Sequence, residues 1–208
     1  MPVQGFTLFD TAIGRCGVAW SERGVAGVQL PERNEAATRA RLLRRHGEAR
    51  EATPPPEIAR AIDGIVALIG GERCDLSDIA IDLADVPEFN RRVYAIARTI
   101  APGTTLTYGA IAARLGEPDA RAVGEAMGRN PIPVIVPCHR VVAAGGRTGG
   151  YKTGGFSAPG GVATKLRLLA IEGARLDDEP TLFDRDGGLA YDVRKGARAR
   201  RGAKARRG

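Results

Sequence analysis

Residues 133 to 142 read Pro-Val-Ile-Val-Pro-Cys-His-Arg-Val-Val. The apolar run reads as a strand that delivers one cysteine, Cys138, between a proline and a histidine. The chain holds three cysteines and two histidines in all, so this pair takes a large share of its reactive groups. A thiol attacks only as thiolate, and a histidine-based proton relay is a common way to make one. A buried structural cysteine preceding an exposed histidine is the other reading. The run alone leaves both open.

Upstream, the chain reads as helices. Phe89, Val93, Ile96, Ala97 and Ile100 share one helical face. Tyr108 to Leu115 is a short helix stopped by Gly116, and Glu117-Pro118 opens another with proline in its first turn. Two short helices around a glycine-containing turn are a helix-turn-helix candidate. The second is bare: Ala120, Ala122, Gly124, Ala126 and Gly128 are small, and Arg121, Glu125 and Arg129 are its long polar side chains. A major-groove reader would offer several Asn, Gln or Arg side chains, whereas a bare helix can lie against a narrow minor groove. Each glycine weakens the helix by about 1 kcal/mol relative to alanine. A purely structural reading must explain that by close helix packing.

Residues 1–86 read differently. Short apolar runs broken by glycine, with a hairpin turn at Ser21-Glu22-Arg23-Gly24, predict a small antiparallel sheet. Glu35–Arg45 and the stretch from Pro54-Pro55-Pro56 through Leu68 predict helices, and Ile79–Leu83 a last strand. The fold class is thus α/β, with an amino-terminal sheet-and-helix domain (1–86), a mostly helical domain (87–176) and an extension (177–208).

The net charge of +7 is segregated: −4 over residues 1–88, +8 over 89–175, −5 over 176–192 and +8 over 193–208. No acid occurs between Glu125 and Glu172. A positive field over the reactive segment and the tail is the footprint of a polyanion partner. Three scattered cysteines, Cys16, Cys74 and Cys138, make neither a disulfide framework nor a metal cluster. No metal and no cofactor are expected. There is no apolar run of roughly 18 residues and no secretory leader, so a cytoplasmic, DNA-associated protein is expected.

Pro-Cys-His-Arg-Val resembles the active-site motif of the O6-alkylguanine-DNA alkyltransferases, the methylated-DNA–protein-cysteine methyltransferases. The likeness extends over about ninety residues: Phe89 to Tyr94, Thr107 to Ala112, Arg121 to Gly124 with Met127, Asn130-Pro131, and Leu168 to Gly173. It implies one-time transfer of an alkyl group from O6-alkylguanine, with O4-alkylthymine as a second candidate substrate, to Cys138 after base flipping from the minor groove. By the same resemblance His139 relays the thiol proton through a water and Glu172 orients the imidazole. Tyr108 aids extrusion and donates a proton, and Asn130 braces the turn. Arg121 fills the vacated stack beside Ala122 and Gly124, Met127 lines the pocket, and carbonyls near Cys138 and Val141 read the guanine amino group.

Three segments depart from the family pattern. The turn Gly116–Ala120 is a residue short. The Gly149–Gly161 loop is longer by about half a dozen residues than the one with which relatives close the alkyl pocket. The extension has no counterpart, although Pro180-Thr181-Leu182-Phe183 weakly resembles peptides that bind bacterial sliding clamps, and Arg194–Gly208 reads as a mobile basic arm. A monomer on alkylated duplex DNA is expected. The competing readings are a non-enzymatic lesion binder of the same fold, which Cys138 argues against, and a thiol hydrolase, which leaves the helix-turn-helix unexplained.

Overall fold

The computed structural model describes residues 3–47, 49–144, 151–152 and 154–174. The acidic segment, the Pro180–Phe183 stretch, the basic tail, residues 145–148 and residues 149, 150 and 153 of the long loop lie outside the described residues.

The amino-terminal half is built on β1 (Gly5–Thr11), β2 (Gly14–Ser21) and β3 (Gly24–Gln29), an antiparallel meander. The hairpin turn falls at Glu22-Arg23, as its sequence predicts. Gly24 there has φ +122°, and a Cβ would stand 2.3 Å from the Ala80 carbonyl oxygen, so only glycine fits. Helix α1 (Glu35–Arg45) starts where Asn34 accepts the Ala37 N–H at 2.9 Å. The short β4 (Arg50–Glu51) adds to β1 in parallel, giving the order β3-β2-β1-β4. Helix α2 (Pro56–Ile69) begins with proline at its first position and buries Ile58, Ala61, Ile65, Leu68 and Ile69.

The expected strand at Ile79–Leu83 shrinks to one bridge, Ile81 against Val25. Asp82 ends it. Its carboxylate accepts the Ala84 N–H at 3.0 Å and the Ser21 hydroxyl at 2.6 Å, folding the chain away from the sheet edge.

In the second half, α3 (Glu88–Arg98) buries Val93 and Ala97 with Asn90 and Tyr94. Of the predicted face, Phe89 and Ile96 are only half-buried. Tyr94 is fully buried and donates its hydroxyl to the Ala126 carbonyl at 2.8 Å. That bond ties α3 to the helix-turn-helix, in which β5 (Leu106–Thr107) leads into α4 (Tyr108–Leu115) and then α5 (Ala120–Gly128). Gly116 closes α4 at φ +69°. Helix α5 does not begin at Glu117-Pro118. Asp119 accepts the Arg121 N–H at 2.8 Å and sets the start at Ala120, leaving Pro118 in the turn.

The expected strand before Cys138 is also absent. Residues 130–137 form a tight loop closed by Asn130, whose side chain donates to the Val136 carbonyl (2.8 Å) and accepts the Ile132 N–H (3.0 Å). A side chain thus replaces a neighbouring strand as the backbone's partner. Val134 sits at φ +76°, a conformation that costs roughly 1–3 kcal/mol for such a residue. A single 3-10 turn, Cys138–Arg140, leads into β6 (Val141–Ala144), which pairs in parallel with β5 and antiparallel with β7 (Tyr151–Lys152). Helix α6 (Val162–Ile171) closes the described chain.

One buried cluster runs from Val18 and Trp20 in the sheet through Ile58 and Ile65 to Tyr94, Ile111, Val123 and Cys138. The described residues therefore form one compact unit, with the cysteine at the end of its core.

Candidate active site

Pro137, at φ −79° and ψ 67°, makes an inverse γ-turn that brings the Cys138 N–H to the Val136 carbonyl at 2.8 Å. This presents Cys138, 7% exposed, to a cleft of about 690 Å³. Tyr108 from α4, Arg121, Gly124 and Met127 from α5, and Phe156 and Ser157 from the long loop also line it.

Gly124 and Gly128 have nothing within 4 Å of where a Cβ would be. Close helix packing therefore does not explain these glycines among the described residues. The bare face of α5 opens onto the cleft, and Arg121 stands at its rim with its side chain 89% exposed, held among the described residues only by Asp119 at 3.0 Å. Gly154 at φ +66° lies against Tyr108, where a Cβ would come within 3.0 Å of the ring. The described end of the long loop thus forms a wall of the cleft.

Behind Cys138 lies a buried charged group. His139 is 1% exposed, and its Nε2 meets Glu172 Oε1 at 2.8 Å. Arg140 grips the same carboxylate twice, Nε to Oε2 at 2.9 Å and a terminal nitrogen to Oε1 at 2.8 Å, and donates to the Ile100 carbonyl at 2.6 Å. The Gly103 N–H adds a contact at 3.3 Å. Burial pushes Glu172 up, but hydrogen bonds from His139 and Arg140 outweigh it and bring it down to about 2. Burial pushes His139 down despite Glu172, which keeps the imidazole neutral. A neutral ring beside an ionised carboxylate must donate from Nε2, so its lone pair is on Nδ1. Nδ1 is buried and has no hydrogen-bond partner among the described residues.

Burial also pushes the Cys138 thiol up, eased by the Asn130 side chain and by Lys165. Lys165 is fully buried, 2.5 Å from the Val141 carbonyl and at a long 3.5 Å from Tyr108 Oη. Burial brings it down to about 8, against an opposing pull from Cys138. Burial, then Cys138, pushes Tyr108 up, so its hydroxyl stays protonated at neutral pH.

Of the sequence-predicted residues, Cys138, Tyr108, Arg121, Gly124 and Met127 meet around the cleft. His139 and Glu172 pair behind it, and Asn130 braces the loop. Ala122 does not line the cleft, and Val141 is fully buried, its carbonyl held by Lys165. Sequence reasoning gave Arg140 and Lys165 no role. The signal for Lys165 was present: it shares a helical stripe, i, i+3 and i+4, with Leu168 and Leu169, all three buried.

A family model described as the DNA-binding domain of 6-O-methylguanine DNA methyltransferase matches residues 88–174. The methylated-DNA–protein-cysteine methyltransferase of Methanothermobacter thermautotrophicus is 34% identical over 163 residues, 78% of this chain and 82% of that one. The chain belongs to this family. A relative of the same name from Mycolicibacterium paratuberculosis is 43% identical over 131 residues, 62% of this chain and 74% of its own. Among solved structures, Mycobacterium tuberculosis OGT in complex with DNA matches with a TM-score of 0.64 and 34% identity, over 86% of this chain and 99% of that one. The O6-methylguanine-DNA methyltransferase of Pyrococcus kodakaraensis matches at 0.61 and 29%, over 81% and 99%. These matches agree with the predicted α/β fold class.

Proposed function

We propose that this chain repairs alkylated DNA by moving the alkyl group from O6 of guanine irreversibly to Cys138. The observation that carries the reading is the nucleophile's placement. Cys138 faces a cleft walled by the bare face of α5, with the His139–Glu172 pair behind it.

The lesion base is hidden inside a duplex and must be extruded, at a cost of a few kcal/mol. Arg121 reaches from the rim into the space the base leaves, and α5 lies in the minor groove. Tyr108 crowds the phosphate and bonds the flipped base, while Met127 packs against it. The carbonyls of Cys138 and Val141 receive the guanine amino group. Lys165 and the Val141 N–H already use one site on each, and a carbonyl has two lone pairs.

Burial keeps the resting sulfur a thiol, so deprotonation accompanies attack. The proton passes through a water to His139 Nδ1, and Glu172 stabilises the imidazolium. Sulfur bonds the alkyl carbon as the carbon–O6 bond breaks. The electron pair goes to the purine, which takes a proton from Tyr108 with the Lys165 charge alongside. The thioether is a poor leaving group, so each molecule acts once. All these groups come from one chain, which supports a monomer acting on duplex DNA. The sliding-clamp reading rests only on residues 180–183.

A titration of O6-methylguanine duplex against protein tests this. Repair is expected to stop at one lesion per molecule, and continued turnover would refute it. Arg121→Ala is expected to slow duplex repair far more than reaction with free O6-benzylguanine, since a free base needs no extrusion.

A further inference from the structure

Cys138 and Ser157 also border a second, narrow cavity of about 30 Å³. A water needs roughly 10–15 Å³ by this measure, so the slot admits about two or three heavy atoms. Pro133 and Pro159 form part of its wall, and Arg41 and Arg45 of α1 add two guanidinium groups. Among its lining residues there is no carboxylate. Arg41 meets Glu32 through Nε alone, at 3.3 Å, and Arg45 has no ion pair among the described residues. Arg39 of the same helix is committed elsewhere, to Glu35 and Glu51. A slot beside the nucleophile that is small, rigid on its proline side and cationic on the other suits a short anionic group.

We propose that this slot receives the far end of the departing alkyl group and favours O6-alkylguanines whose alkyl group ends in a carboxylate, O6-carboxymethylguanine being the shortest. This rests on the alkyl-transfer reading above. With the carboxylate between Arg41 and Arg45, the CH₂ carbon lies at Cys138. Sulfur bonds that carbon, the carbon–O6 bond breaks, and its electron pair goes to guanine. The thiol proton leaves through His139 and guanine gains one from Tyr108, giving S-carboxymethylcysteine and intact guanine. No co-reactant is required.

The test compares single-turnover rates on three duplexes, carrying O6-methylguanine, O6-carboxymethylguanine and its neutral isostere O6-carbamoylmethylguanine. The carboxymethyl rate should exceed the carbamoylmethyl rate by about threefold to tenfold, the range partly exposed charge pairs give. In Arg41→Gln/Arg45→Gln that ratio should fall to about one. Because it is a ratio, a general loss of DNA affinity cancels. A wild-type ratio of one or below, or a high ratio that survives the double substitution, overturns the proposal while methyl transfer stands. No transfer from the methyl duplex would overturn the alkyl-transfer reading itself. Should the double variant not fold, the wild-type ratio still decides.

Discussion

His139 Nε2 lies 2.8 Å from Glu172 Oε1, and this bond fixes which ring nitrogen can accept a proton. The same carboxylate neutralises the buried Arg140, so in the proposed reaction one side chain serves both chemistry and stability.

Glu172→Gln is therefore expected to lower the transfer rate and to destabilise the fold by about 3–5 kcal/mol, because Arg140 is left buried without its counter-charge. The folded pKa of about 2 lies below the ordinary glutamate value of 4.5, so this stabilisation is complete above pH 4.5 and fades as pH falls towards 2. The stability gap between parent and variant should narrow by about 2 kcal/mol between pH 5 and pH 3. Denaturant unfolding at the two pH values measures it. A gap independent of pH would mean Glu172 is not ionised by these partners.

Lys165→Met keeps the volume and removes the buried cation beside Cys138. Forming the thiolate becomes harder, so the alkaline-rising limb of the rate–pH curve should move to higher pH and the rate at pH 7 fall by about tenfold. Stability should hold or improve, since a desolvated charge is replaced by apolar packing. An unchanged pH profile would leave Lys165 as a packing residue.

Gly124→Ala and Gly128→Ala test what the bare helix face is for. A methyl at either position meets nothing within 4 Å, so each should stabilise α5 by about 0.5–1 kcal/mol. Duplex binding should nevertheless weaken, because the methyls stand between helix and minor groove. Thermal unfolding and a DNA titration of the double variant give both readings. Unchanged affinity would remove α5 from the interface.

Local chemistry explains what could be read from the sequence. Helices α1 and α4 carry their own signals, Asn34 capping one and Gly116 ending the other, and both boundaries match the structure. The sequence places the start of helix α5 two to three residues early because Pro118 is a good first-turn residue, but Asp119 captures the Arg121 N–H. The run Ile132–Val136 has the composition of a strand. What replaces the sheet there is a side chain, Asn130, whose bonds to Ile132 and Val136 no periodicity reveals. Arg140 looks like an ordinary surface cation until the fold buries it against Glu172, whereas Lys165 shows its burial only through its stripe with Leu168 and Leu169.

In the proposed reaction Cys138 alone takes the alkyl group. Protein is incubated with an O6-methylguanine duplex, digested, and its peptides weighed. A gain of about 14 Da, one methyl on one nucleophile, is expected on the Cys138 peptide and should be missing in Cys138→Ala. A methyl on Cys16 or Cys74, or transfer that survives in Cys138→Ala, would contradict the assignment.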